Sequence, residues 1–93
     1  NLEEARKVAR HLIEKKLVAC ANIIPHIESL YLWNDKIETD QEVKVIFKTE
    51  DRHFDTIRDY IEKNGSYEVP EVSKITLDEI NPAYKTYLNN SLI

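Results

Sequence analysis

Glu38, Asp40 and Glu42 stand at i, i+2 and i+4 of one segment. On a strand that spacing points all three carboxylates to one face, in steps of about 7 Å. Three anions so placed repel one another unless compensated, and Lys36, Lys44 and Lys48 fall on the same face. The chemistry open to such a row is a hard cation held through oxygen, or an electrostatic docking edge. The plainer alternative is a solvated hairpin face whose cross-strand ion pairs contribute about 0–1 kcal/mol each. Paired-carboxylate hydrolysis has less support, because nothing marks a sugar-binding cleft.

Softer ligands are few. Cys20, His11, His26 and His53 include no two at the i, i+2 or i, i+4 spacing of a chelating pair. Cys20 lies in Ala19-Cys20-Ala21, where a thiol more often packs as a small apolar group than binds copper or zinc with a residue from elsewhere. His11 sits beside the polar face of its helix and His53 in a first turn, so both are expected in solvent. No Ser-His-Asp or Cys-His pairing can be drawn from spacing, and no catalytic residue is assigned. Tyr31, Trp33, Tyr67, Tyr84 and Tyr87 form a last group, suited to anchoring a subunit interface or to lining a ligand pocket.

Composition limits the partners. Ninety-three residues make one domain with a thin core, for which self-association is a common remedy. Thirteen basic against seventeen acidic residues leave a net charge of −4, which argues against nucleic acid or an anionic membrane as the main partner. The single glycine, Gly65, leaves no room for a P-loop or a G-x-G-x-x-G turn. The single cysteine excludes an internal disulfide, so the default compartment is the reducing cytoplasm. No apolar run approaches the roughly 20 residues that cross a bilayer.

The elements that must position these residues follow from periodicity. Residues 2–17 read as an amphipathic helix capped by Asn1, with Leu2, Ala5, Ala9, Leu12, Ile13 and Leu17 on one side. Leu17–Trp33 is β-rich, with Pro25 implying an edge or a bulge, and Asn34-Asp35-Lys36 is a turn. Beyond it Ile37, Thr39, Gln41, Val43, Val45 and Phe47 alternate with the charged face. A second helix runs from Asp51 to about Asn64, with Phe54, Ile57 and Ile61 buried and Gly65 as its stop. A further strand spans Val69 to Leu77. Asn81-Pro82 opens a last helix with Tyr84, Tyr87, Leu88 and Leu92 inward. The order is α-β-β-α-β-α. One strand ahead of Asn1 would make it a ferredoxin-like split βαβ sandwich with a long hairpin and a C-terminal helix. Residues 1–93 are thus expected to be a single α+β domain without its N-terminal strand.

Leu17-Val18-Ala19-Cys20-Ala21-Asn22-Ile23-Ile24-Pro25, Ser29-Leu30-Tyr31-Leu32-Trp33 and Lys36-Ile37-Glu38 resemble the CutA divalent-cation-tolerance proteins. So do Glu42-Val43, Ile46-Phe47-Lys48-Thr49 and Tyr67-Glu68-Val69-Pro70-Glu71-Val72. The likeness runs in order along the whole chain. It implies a homotrimer with hairpins paired between subunits, much like the PII-type signalling proteins, and a role in tolerance to copper and other divalent cations. Metal binding is the activity implied, with no established catalysis and no cofactor required, copper or another divalent cation being the candidate. Cys20, Glu38, Asp40 and Glu42 are the metal candidates. An intersubunit cleft would draw on Tyr31, Trp33, Lys36, Glu38, Lys48, Tyr67 and Glu71. The alternatives are a small-ligand signalling module using that cleft, and a purely structural oligomer.

Departures from the family pattern weaken soft-metal chelation in particular. Asn64-Gly65-Ser66 stands where the family usually has His-Pro, so one proposed copper ligand lacks its imidazole. Asp35 replaces the glycine of the hairpin turn, and Tyr87 replaces a tryptophan of the last helix.

Overall fold

Helix α1, Leu2–Glu14, starts where Asn1 Oδ1 accepts the Glu4 amide at 2.8 Å, with Glu3 and Glu4 in the positively polarised first turn. It ends three residues before the apolar period does. The Lys16 and Leu17 amides turn back to the Ile13 and Leu12 carbonyls at 2.9 and 3.0 Å, with Lys16 left-handed at φ 59°. This is a Schellman stop, and it delivers Leu17 onto Leu12 as a contact across the turn instead of along the helix. The computed structural model describes residues 1–67 and 69–93. Glu68, within one of the motifs above, lies outside the described residues.

Strands β1, Cys20–Trp33, and β2, Lys36–Lys48, form one antiparallel hairpin. Asn34 and Asp35 both have positive φ (50° and 64°), the geometry of a type I′ turn that suits the twist of its strands. Asp35 tolerates without glycine the conformation that the turn demands. Pro25 and His26 together oppose Val43, a bulge with His26 at φ 61°. Because the bulge adds one residue, Cys20, Asn22 and Ile24 before it share a face with Ile27, Ser29, Tyr31 and Trp33 after it. Fourteen residues at ~3.4 Å each account for the molecule's long axis of 46 Å.

The core sits at the hairpin's base. Leu12, Val18 and Ile57 are buried together, with Val8, Leu17, Phe47, Tyr60 and Ile61 packed around them. Asp51–His53 is a 3-10 turn leading into α2, Phe54–Asn64, so Asp51 opens the segment without capping an α-helix. Its carboxylate pairs instead with Lys74. Helix α3, Pro82–Ser91, places Pro82 in its first turn as expected and buries Leu88. Tyr87, expected inward, is exposed, its ring tilted against Tyr84 at 5.5 Å.

The segment 69–77 is not a strand. Among the described residues the sheet has two strands, and none lies beside this segment to complete a ladder. Strand-forming side chains do not create a strand without a neighbour to exchange hydrogen bonds. Val69, Ile75 and Leu77 are left exposed, Ile75 at 90%. Lys74 holds the stretch by its pairing with Asp51 and by lying 5.2 Å from the Phe54 ring centre. The molecule is α+β with a long hairpin and a C-terminal helix, but a two-stranded sheet does not by itself establish the ferredoxin-like order.

Candidate functional site on the hairpin

Strand register lays out the site residue by residue. Trp33 faces Lys36, Tyr31 faces Glu38, Ser29 faces Asp40 and Ile27 faces Glu42. All eight belong to one face of the hairpin. The acidic row expected from spacing is therefore present, flanked by Tyr31 and Trp33. Ser29 Oγ donates to Glu42 Oε2 at 3.1 Å, and Asp40 Oδ1 accepts the Gln41 amide at 2.9 Å.

Folding adds Tyr67 to this row. The Tyr31 phenol is held above its ordinary pKa by lost hydration first, and then by the charges of Asp40, Glu38 and Glu42. The Tyr67 phenol is raised by lost hydration and by Glu42, Asp40 and Glu4. Both phenols thus lie in the field of these carboxylates, Tyr31 in that of all three and Tyr67 in that of Glu42 and Asp40, a negative surface that attracts cations. Sequence spacing could not show this meeting, since 36 positions separate the two tyrosines.

The other candidates lie elsewhere. Cys20 faces Lys48 at the hairpin's base, ten positions along β2 from Glu38 and so about 34 Å away. The four metal candidates are not brought together, and among the described residues no three His, Cys, Asp or Glu side chains could share an ion. The cleft candidates also divide. Tyr31, Trp33, Lys36, Glu38 and Tyr67 belong to the distal group, whereas the Lys48 ammonium lies 5.5 Å from the Tyr84 ring centre at the base. Glu71, exposed, accepts from Ser73 Oγ at 3.1 Å.

Two histidines differ from expectation. His53 is buried, its Nε2 3.2 Å from the Ile93 carbonyl oxygen. The signal was available: His53 stands four residues before Ile57, on the same stripe of the helical segment. His11 is half-buried and stacks on Tyr60, ring centres 4.3 Å apart and planes within 6°. The 3.1 and 3.3 Å hydrogen bonds from Ser66 Oγ and its amide to Glu4 Oε1 were not legible in the sequence, and they hold the Glu4 carboxyl below its ordinary pKa.

A family described as CutA1 divalent ion tolerance protein matches residues 1–91. The divalent-cation tolerance protein CutA of Thermococcus kodakarensis is 42% identical over 86 residues, covering 92% of this chain and 82% of that protein. Protein CutA 1, chloroplastic, of Oryza sativa is 38% identical over 91 residues, covering 98% of this chain and 51% of that protein. The chain thus spans about half the length of the rice relative. The structure of the periplasmic divalent cation tolerance protein CutA from Archaeoglobus fulgidus superposes with a TM-score of 0.93 at 35% identity, covering 98% of this chain and 88% of that one. Relatives named chloroplastic and periplasmic overturn the expectation of a cytoplasmic protein. A lone thiol says only that no internal disulfide forms, and that is compatible with several compartments. Over its whole length, in sequence and in fold, this chain belongs to the CutA1 divalent ion tolerance family.

Proposed function

We propose that the protein serves divalent-cation tolerance as a metal-binding homotrimer without catalysis, its hairpin ends covered by neighbouring copies. The observation that carries the reading is the distal half of the hairpin. Leu32, Trp33 and Ile37 are 68, 59 and 76% exposed on a well-paired scaffold. At roughly 25 cal/mol per Å2 of apolar surface, covering such an end supplies a substantial drive to associate. The number three comes from the family resemblance.

The residues of one chain do not fit a chelated ion. Carboxylates about 7 Å apart along a strand cannot all reach the 2.3–2.6 Å that calcium-like cations require. Metal binding at Glu38, Asp40 and Glu42 therefore needs either ligands from a neighbouring copy or a hydrated ion held by the field of the row. The same assembly would reunite Lys48 and Glu71 with the distal cleft residues. Native mass spectrometry of the metal-free protein, then with near-stoichiometric copper or zinc, tests both parts. The expected result is a trimer that takes up a whole-number complement of metal. A metal-free trimer would move the function to a small ligand or protein in the intersubunit cleft, as in the signalling alternative. A monomer under both conditions would overturn the proposal.

A further inference from the structure

Gly65 is the chain's single glycine and it follows Asn64, so the sequence contains one Asn-Gly pair. In such a pair no side chain hinders the following amide nitrogen from attacking the asparagine side-chain carbon. Here packing demands the glycine. Its φ of −83° would suit any residue, but a Cβ would stand 2.9 Å from the Ile61 carbonyl oxygen. The residue that lets α2 stop cleanly also makes Asn64 reactive.

The backbone geometry and two hydrogen bonds of the last turn hold that reaction back. Asn64 keeps helical backbone geometry, which aims its side chain away from the Gly65 nitrogen. The Gly65 amide donates to the Ile61 oxygen at 2.9 Å, and Asn64 Nδ2 donates to the Tyr60 oxygen at 2.9 Å. All three disappear when one turn frays, and helix ends open at far lower cost than cores. Asn64 is exposed, so water reaches it.

We propose that Asn64 is a site of spontaneous deamidation, gated by opening of the last turn of α2. The Gly65 nitrogen bonds to Asn64 Cγ, the Cγ–Nδ2 bond breaks, and Nδ2 leaves as ammonia carrying the Gly65 proton. Water then opens the succinimide at either carbonyl, giving aspartate or isoaspartate. Isoaspartate lengthens the main chain by one carbon between Asn64 and Gly65, one residue ahead of Ser66. The new carboxylate also sits unfavourably at the negative end of the α2 dipole. Both effects pull Ser66 from Glu4, the link that fastens the chain leading into Tyr67.

The test ages the folded protein and a urea-unfolded sample in parallel at mildly alkaline pH, with isoaspartate-sensitive peptide mapping. Asn64 should convert before Asn22, Asn34 and Asn89, and roughly tenfold or more slowly folded than unfolded, the ratio reporting the cost of opening the turn. By NMR, the Glu4 carboxyl of the aged protein should titrate nearer its ordinary value. Equal rates in the two samples would overturn the gating. An Asn64 that converts no faster than Asn22, Asn34 and Asn89 would overturn the site. The Asn64→Gln variant should keep its Glu4 titration on ageing; if Glu4 shifts there too, the proposed coupling fails.

Discussion

At its base the hairpin packs Phe47 against the core built on Leu12, Val18 and Ile57, while Ala21 and Ile23 lie half-buried beside α1. Beyond the bulge at Pro25 and His26, the same two strands continue with Leu30, Leu32, Trp33 and Ile37 in the open. Backbone pairing is continuous through both halves apart from the bulge. Packing against the core is confined to the proximal one, although Ile27 and Ser29 just past the bulge stay half-buried. Strand pairing and core formation are therefore separate achievements here: the type I′ turn and register build the distal half, and only helix packing buries the proximal half. The distal half also carries the acidic row, so the surface proposed for binding is the one that the core leaves free.

The comparison breaks most visibly at Leu12. Leu12→Ala should cost about 2–5 kcal/mol, enough to unfold much of so small a domain, and urea titration at fixed protein concentration measures it. Trp33→Ala should instead spare the fold and weaken association, by about 2 kcal/mol or more if Trp33 anchors the interface. Sedimentation across a concentration series separates the two effects. An unchanged association constant would mean that the distal half is merely exposed.

Smaller effects sharpen the contrast. Replacing Glu38, Asp40 and Glu42 together by Gln, Asn and Gln should lower the Tyr31 pKa toward its ordinary value without restoring it fully, because lost hydration is the larger cause. A phenol whose folded pKa is raised adds stability that is complete below the unfolded value of about 10 and is lost as pH rises through the folded one. The triple variant should therefore lose less stability above that pH, as thermal melts would show. For a lowered carboxyl the sign reverses. Glu4, lowered by Ser66, adds stability above the unfolded carboxyl value of about 4.3, and that stability is lost as pH falls through the folded value. Glu4→Gln should flatten the acid limb of the stability curve by lowering stability at neutral pH, and leave it nearly unchanged below the folded value. The smallest change expected is at Lys16. Lys16→Gly relieves left-handed strain of about 1–2 kcal/mol and gives back about 0.4–1 kcal/mol through a freer unfolded chain. A net gain of about 0.5 kcal/mol should appear in the urea midpoint.

Local signals are readable wherever the physics acts over a few residues. Asn1 caps, Pro25 breaks a ladder, Asn34-Asp35 turns and Pro82 starts a helix, each because its own backbone geometry or hydrogen-bonding groups require it. The alternation of β2 likewise puts Glu38, Asp40 and Glu42 on one face through residue spacing alone. Other features depend on partners far apart in the chain. Leu17 leaves its helical period because the Leu12 carbonyl draws its amide back. The partner of the buried His53 ring is the Ile93 carbonyl oxygen, 3.2 Å from Nε2 and forty positions away. Residues 69–77 have every strand-forming side chain that a strand needs, and form none because no edge lies alongside. Cys20 and the acidic row belong to one face and one hairpin, yet strand rise keeps them about 20 Å (Glu42) to about 34 Å (Glu38) apart. Tyr31 and Tyr67 come to border the same carboxylates only through packing, since no property of either residue alone encodes the other's position.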